Sequence, residues 1–179
     1  MSLFLEYARA TELYKSLCGV FDSPDGNLLE RRDIKTAEAQ TEFLRWALHE
    51  AQPRTIVETG TNKGMFLYFV SLVARGITLY TFDSDVRAGQ AVECINAAQK
   101  NVSAVFRSGD TRETLRELQV TAEFAWIDGG HDGDISLSDL MQCYRLRVPF
   151  VAVDDTACAV VRSAVEYVQQ HTPYRILGN

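Results

Sequence analysis

The sequence predicts an α/β protein built on a doubly wound parallel sheet with helices on both faces. From residue 55 onward, short apolar segments alternate with helical ones, as in repeated strand–helix–strand units. The short segments are apolar on both faces, which is typical of parallel strands covered by helices. Because ligands bind beyond the carboxyl ends of the strands in such sheets, we expect the functional site along that edge.

The bulk composition fits a single domain over residues 1–179. The chain is 46% hydrophobic and 23% charged, and its net charge of −6 offers no basic surface to nucleic acid. The longest apolar run, MFLYFVSLVA, has about half the length of a bilayer span. Four scattered cysteines and the lack of a signal-peptide layout favour a reduced, cytoplasmic protein. We therefore expect a small-molecule partner, with no nucleic acid and no membrane.

Two helices are predicted in the N-terminal segment 1–52. Apolar residues at helical spacing predict the first helix over 3–18, and the turn-rich DSPDGN separates it from a second over roughly 35–50. The residues that carry the first pattern are Leu3, Tyr7, Ala10, Tyr14 and Leu17. The α/β core then covers 53–179.

Six strands and five helices are predicted within this core. The strands are TIVE (55–58), ITLYTF (77–82), SAVFR (103–107), FAWI (124–127), FVAV (150–153) and YRIL (174–177). The helices cover 63–75, 86–99, 111–118, 135–146 and 157–170. Glycines or carboxylates follow most of the strands, at the edge where a ligand is expected.

The glycine-containing stretch VETGTNKG (57–64) joins the first strand to its helix. Gly60 and Gly64 permit a sharp turn and a close approach of the backbone to a ligand, although a plain strand–helix turn would use them too. The dinucleotide fingerprint requires a glycine where Asn62 stands, which disfavours a nicotinamide-dependent reductase.

The same stretch resembles motif I of class I S-adenosylmethionine-dependent methyltransferases, acid-x-Gly-x-x-x-Gly, with Glu58, Gly60 and Gly64 in place. The resemblance implies a Rossmann-like fold and a loop, including Thr61, that contacts the methionine part of S-adenosylmethionine. We expect Glu58 to keep the local field negative, which suits a cationic sulfonium.

The ends of the second and third strands carry further candidate cofactor ligands. Asp83 stands where an acid accepts hydrogen bonds from the ribose hydroxyls; its alternative role is to cap the next helix, for which Asp85 is better suited. The resemblance places Asp110 and Thr111 beside the adenine. The alternative for Asp110 is again a helix N-cap.

The fourth and fifth strands both end in acids. FAWIDGGHDGD delivers Asp128 and His131, and PFVAVDDTA delivers Asp154 and Asp155. Neighbouring buried carboxylates are costly unless a cation offsets them, and three oxygen ligands suit Mg²⁺ or a similar ion. The alternative is that these are ordinary strand-end acids beside a loop histidine.

These two stretches resemble metal-dependent O-methyltransferases of the macrocin/mycinamicin type and the related cephalosporin-hydroxylase-like group. The shared features are IDG-x-H and an acidic pair followed by threonine, within a resemblance over roughly 54–168. The resemblance implies that Asp128, Asp154 and Asp155 bind the divalent ion, with Asp128 also near the cofactor. His131 would be the general base that takes a proton from the acceptor hydroxyl.

Two departures from this family qualify the expectation. YRLRVPFVAV lacks the usual glycine pair before strand five, and the seventh strand of the family is not predicted. With only the N-terminal helices as a lid, the acceptor site is expected to be open or completed by another subunit, as in a homo-oligomer. Two alternatives remain: a metal-assisted hydrolase that uses the same acids, and a non-catalytic nucleoside-binding module.

Overall fold

A computed structural model describes residues 12–20, 34–132 and 134–177 of the chain. The strands are β1 (Thr55–Thr59), β2 (Ile77–Asp83), β3 (Val102–Ser108), β4 (Phe124–Ile127) and β5 (Phe150–Val153). The helices are α1 (Glu12–Val20), α2 (Ile34–Ala51), α3 (Met65–Val73), α4 (Ala88–Ala98), α5 (Thr111–Thr114), α6 (Ile135–Arg145) and α7 (Ala159–His171).

The five strands form one parallel sheet in the order β3-β2-β1-β4-β5. The chain reverses its direction of travel across the sheet between β3 and β4, so β1 and β4 flank the topological switch point. Thr59 pairs with Ile127, and Ile127 pairs with Val153, which brings three strand ends level at one edge. This is the edge at which doubly wound sheets bind ligands.

Apolar side chains alternate between two cores, one on each face of the sheet. Along β1, Ile56 belongs to the core formed with α1, α2, α3 and α4, whereas Val57 belongs to the core formed with α6, α7 and the segment after α5. The alternation follows from the two-residue period of a strand. Helices thus cover both faces, which confirms the predicted doubly wound, Rossmann-like architecture.

The predicted sixth strand is wrong, because Tyr174–Leu177 has no strand structure. The Tyr174 hydroxyl donates to the Val148 carbonyl at 2.5 Å, and its ring packs edge-on against Tyr144. Ile176 and Leu177 are exposed, so the apolar pattern does not reflect burial there. Among the described residues, β5 pairs with β4 alone.

The remaining elements agree with the predictions to within a few residues. The exception is α5, predicted over 111–118 but ending at Thr114. The part of the first predicted helix before residue 12 lies outside the described residues. No helix in the described ranges is both long and apolar enough to cross a membrane.

Candidate active site

The glycine loop after β1 depends on the absence of a side chain at Gly60. Gly60 has φ of 83°, and a Cβ atom built on it would lie 2.0 Å from the main-chain oxygen of Asp128. The loop after β1 therefore touches the end of β4 directly. The N–H groups of Gly60 and Thr61 donate to the Phe82 carbonyl at 2.9 and 3.2 Å, which ties the same loop to β2.

Gly64 ends this loop and precedes α3. Its φ is 73°, and a Cβ atom there would lie 3.1 Å from Ile95 Cδ1 on α4. Asn62, where the dinucleotide fingerprint has its second glycine, also lies in the left-handed region with φ of 46°. Asparagine tolerates this region better than most residues, so the loop keeps its turn without that glycine.

Glu58 lies below the glycine loop in a buried hydrogen-bonded chain. Its carboxyl group accepts a hydrogen bond from Thr81 Oγ1 at 2.6 Å, and Thr81 in turn contacts Thr61 Oγ1 at 2.5 Å. Burial raises the pKa of Glu58 well above its usual range, and the charges of Asp128 and Asp83 raise it further, against the effect of Thr81. Burial therefore favours the neutral form of Glu58, so the negative field expected from it is weakened. Its observed contact is to Thr81, which supports the loop from below.

Asp83 lies at the end of β2 and holds two loops together. Its carboxylate accepts the Asn62 N–H at 2.6 Å through one oxygen and the Asp85 N–H at 2.8 Å through the other. Each carboxylate oxygen can accept a second hydrogen bond, so capacity for ribose hydroxyls remains. Asp83 does not cap α4, because its carboxylate accepts the N–H groups of Asn62 and Asp85. Asp85 accepts the N–H of Arg87 in the turn before α4, and the helix itself begins without a side-chain cap, so the capping role expected of Asp85 is not formed.

Asp110 and Thr111 take different positions at the end of β3. Asp110 caps α5 by accepting the Arg112 N–H at 2.9 Å, and the Arg112 guanidinium holds the pKa of this carboxyl below its usual value. The capping role foreseen as an alternative is therefore present. Thr111 is buried, and its hydroxyl forms no hydrogen bond within the described structure. Their contact with adenine stays a prediction.

The acids after β4 and β5 converge as predicted from adjacent strand ends. Asp128, His131 and Asp155 each offer one ligand atom, and these atoms lie within 4.8 Å of one another. His131 Nε2 lies 3.3 Å from Asp155 Oδ2, and all three residues are half-buried. Asp155 has φ of 51°, a strained conformation of the kind that clusters at functional sites.

Asp154, a predicted metal ligand, is not a member of this group of three. Its Oδ1 accepts the N–H of Asp155 at 2.7 Å, and its own N–H donates to the Ile127 carbonyl. These contacts fix the turn after β5, which turns Asp155 toward His131. A ligand role for Asp154 stays a prediction.

The donor set fits a divalent cation. Two carboxylates and an imidazole within reach of one ion leave positions for water and a substrate oxygen. If His131 is a ligand, its nitrogen suits Mn²⁺, Fe²⁺ or Zn²⁺ better than Mg²⁺. If His131 is instead the general base, its contact with Asp155 orients the ring.

Sequence reasoning missed three buried polar residues that support this site: Thr59, Thr81 and Asp139. Thr59 and Thr81 lie within strands otherwise read as apolar, and Asp139 lies in α6 with no exposed surface. The signal for Asp139 is its position in SLSDL, where it shares a helix face with Ser136 and Leu140, both of which are buried.

Comparison with known proteins identifies the class of this chain. A model of the methyltransferase domain family matches residues 57–155, a range that runs from the glycine loop to Asp155 and contains both halves of the site. No protein of curated function matches the chain by sequence.

Solved structures share the fold at low sequence identity. One is the O-methyltransferase TomG of Streptomyces achromogenes, involved in tomaymycin synthesis and bound to S-adenosylmethionine: identity is 20%, TM-score 0.62, and 90% of this chain and 79% of that one are covered. Another is an O-methyltransferase of Bacillus cereus in complex with S-adenosylhomocysteine. Its identity to this chain is 18% and the TM-score is 0.66, with 89% of this chain and 80% of that one covered. A third is the Podospora anserina methyltransferase PaMTH1. Its identity to this chain is 12% and the TM-score is 0.59, with 95% of this chain and 86% of that one covered.

The fold and the site thus define a class I methyltransferase-like protein, as the sequence predicted. The chain belongs to the methyltransferase domain family.

Proposed function

We propose that this protein transfers a methyl group from S-adenosylmethionine to a hydroxyl of a small molecule, assisted by a divalent cation. The observation that carries the proposal is the contact between Gly60 and the main chain of Asp128. It joins a glycine loop of the methyl-donor type to the group of Asp128, His131 and Asp155 at one edge of the sheet. The O-methyltransferases of similar fold, two of them bound to S-adenosylmethionine or S-adenosylhomocysteine, support the same reaction class.

The donor is held, in this proposal, by the loops after β1, β2 and β3. The turn at Gly60 presents backbone to the methionine part, and the remaining acceptor capacity of Asp83 serves the ribose. The buried chain from Glu58 through Thr81 to Thr61 keeps the loop in place. Such preorganisation matters because in-line displacement needs the methyl group aligned with the incoming oxygen.

The acceptor hydroxyl is activated at the group after β4 and β5. A divalent ion bound there would lower the pKa of the hydroxyl and orient it. His131, paired with Asp155, takes the hydroxyl proton; the oxygen then forms a bond to the methyl carbon as the carbon–sulfur bond breaks, which releases S-adenosylhomocysteine. The half-exposed position of His131 leaves it accessible to a substrate.

We also propose a small, uncharged or cationic acceptor and a cytoplasmic setting. The net charge of −6 gives no attraction to nucleic acid or to anionic membrane, and thus supports a small molecule. A homo-oligomer that completes the acceptor site is a further proposal, which light scattering of the purified chain tests.

The decisive experiment is calorimetric titration with S-adenosylhomocysteine, with and without Mg²⁺ or Mn²⁺. We expect binding in every case, because the donor is held by the loops after β1, β2 and β3, with Glu58 and Asp83, and not by the ion. Asp128→Asn should weaken metal binding and spare S-adenosylhomocysteine, and His131→Ala should slow turnover of an acceptor with little change in donor affinity.

Each alternative predicts a different result in this titration. Absence of S-adenosylhomocysteine binding would favour a metal-assisted hydrolase that uses the same acids. Donor binding that survives His131→Ala and metal removal, with no transfer to any hydroxyl acceptor tried, would favour a non-catalytic nucleoside-binding module.

A further inference from the structure

Asp139 on α6 is a buried acid that the proposed reaction does not use. Its side chain has no exposed surface, and neither carboxyl oxygen forms a hydrogen bond within the described part of the chain. The hydroxyls of Thr59 and Thr111 are buried beside Asp139, and their interaction with its carboxyl group lowers the pKa of Asp139 against the larger effect of burial. Buried polar groups of this kind are costly, so a gain elsewhere must account for them.

Asp139 lies against the loop that joins Asp128 to His131. A Cβ atom built on Gly129 would lie 3.0 Å from Asp139 Oδ2 and 3.1 Å from Thr59 Oγ1. Glycine at position 129 thus lets the loop lie directly on this carboxyl group and on the end of β1.

Ser136 contacts the same loop one turn earlier on α6. Its hydroxyl donates to the Gly130 carbonyl at 3.0 Å, and its side chain is buried. Residues three apart lie on one face of a helix, so Ser136 and Asp139 face the two consecutive glycines together.

We propose that Ser136 and Asp139 are positioning residues, which fix the loop so that Asp128 and His131 face Asp155. The inference rests on the proposed function, in which these three residues hold the cation and the acceptor. Neither Ser136 nor Asp139 belongs to the group of three, so both act through the loop. Functional side chains need such support, because a loop that shifts by even an ångström misplaces its ligands.

The test compares Asp139→Leu, Asp139→Asn and Ser136→Ala with the wild type. Mn²⁺ affinity is measured by electron paramagnetic resonance and S-adenosylhomocysteine affinity by calorimetry. We expect Asp139→Leu to weaken Mn²⁺ binding roughly tenfold, as loss of an outer partner of a metal site does, and Asp139→Asn to recover most of it. Donor affinity should change less than about threefold, because Asp139 lies against the loop from Asp128 to His131 and meets the donor loops only at the buried Thr111.

Thermal stability separates positioning from a general structural role. Leucine fills the site of Asp139 without a buried carboxyl group, so Asp139→Leu should melt no lower than the wild type while binding Mn²⁺ more weakly. Leu140→Ala is the matched control: it lowers stability from the next position on α6, where the side chain belongs to the core, and should leave Mn²⁺ affinity unchanged. Equal losses of Mn²⁺ affinity in Leu140→Ala and Asp139→Leu would overturn the proposal.

A second measurement does not depend on metal. Amide ¹⁵N order parameters of Gly129 and Gly130 should fall in Asp139→Leu and in Ser136→Ala, and stay constant in Leu140→Ala. Unchanged order parameters in both variants would refute the positioning role even if a metal binds. A wild-type chain that binds no Mn²⁺ but shows the expected drop would contradict metal assistance and leave the positioning role supported.

Discussion

Two features of Gly60 exclude any other residue at this position. Its backbone is left-handed, and the Asp128 carbonyl occupies the space that a side chain would need. We predict that Gly60→Ala lowers the free energy of unfolding by roughly 3 kcal/mol. It should also weaken S-adenosylhomocysteine binding by more than about tenfold, because the loop must move to relieve the clash.

Gly76→Ala is the control for this change. Gly76 has φ of 70°, but a Cβ atom added to it would meet no other atom within 4 Å. It therefore reports the backbone cost alone, about 1 to 2 kcal/mol. Urea denaturation and calorimetry measure both variants. Equal losses of stability, with donor affinity intact in each, would mean that the contact with Asp128 is not restrictive.

Asp139 should make stability depend on pH in a defined direction. Burial raises the pKa of Asp139 from its ordinary 3.8 to about 6. A raised carboxyl pKa gives stability that is present below pH 4 and is lost as pH rises to 6, by up to about 3 kcal/mol. Asp139→Asn removes this loss, so its stability relative to the wild type should increase between pH 4 and 6 and then level off.

Urea denaturation of both proteins at pH 4, 5, 6 and 7 measures this difference. Glu166→Gln, which alters an exposed acid on α7, is the control and should follow the wild type. Parallel curves for Asp139→Asn and the wild type would show that Asp139 is not the group responsible.

At the residue scale, the sequence predicted what lies in the glycine loop and at the strand ends but not what lies beneath them. Gly60, Asp83 and Asp128 are visible because polar or glycine residues interrupt apolar patterns there. Asp139 and Thr81 escape notice because a single polar residue within an element is usually exposed, and only the packing of α6 and β2 buries these two.

At the scale of elements, the parallel pairing of β4 with β5 brings the acids together, and the turn after β5 selects which acid faces His131. We predict that Asp155→Ala weakens Mn²⁺ binding by at least about tenfold, because Asp155 is a member of the convergent group. Asp154→Ala should weaken it less, because its carboxylate accepts the N–H of Asp155 and acts on that turn.

Electron paramagnetic resonance titration of Mn²⁺ into both variants decides the order, with calorimetry of S-adenosylhomocysteine as the control for folding. A larger loss in Asp154→Ala would restore the direct role that the sequence resemblance implied for Asp154. The resemblance could not distinguish the two acids, because the left-handed backbone at Asp155 is not encoded in the residue type.

Elements that bury an apolar face were predicted from the sequence, and those defined by a single contact were not. All five strands of the sheet were anticipated because each is apolar and bounded by turn residues. Tyr174–Leu177 has the same composition, yet it follows Pro173 and is fixed by the Tyr174 hydroxyl and ring. Composition predicts a strand, whereas a neighbouring strand is needed to form one.

For the whole molecule, the sheet separates two cores that share only its backbone. Leu67 lies in the core of the α3 face and Leu118 in the core of the α7 face, and both are buried. We predict that Leu67→Ala and Leu118→Ala each lower the free energy of unfolding by about 2 to 5 kcal/mol. The double variant should show the sum to within about 0.5 kcal/mol, because the two side chains do not touch.

Denaturant unfolding of the three variants measures additivity, and differential scanning calorimetry checks that each unfolds in one transition. Marked coupling between the substitutions would mean that the two cores are not energetically independent. Two resolved transitions would mean that the sheet does not join the two faces as one cooperative unit.

The main-chain contact between Gly60 and Asp128 has a consequence for how the acceptor range of such a protein changes. In the proposed function, this contact holds the loop for the methyl donor against the strand end that bears Asp128, so exchanging surrounding side chains should leave the spacing between the two intact. Diversifying exposed positions after His131, such as Asp132 and Asp134, should therefore yield variants with new substrate preferences and an undisturbed transfer distance. Directed evolution should therefore keep Gly60 and Gly129 unchanged, because the backbone there sets the distance, and vary the exposed side chains, which would set the substrate preference.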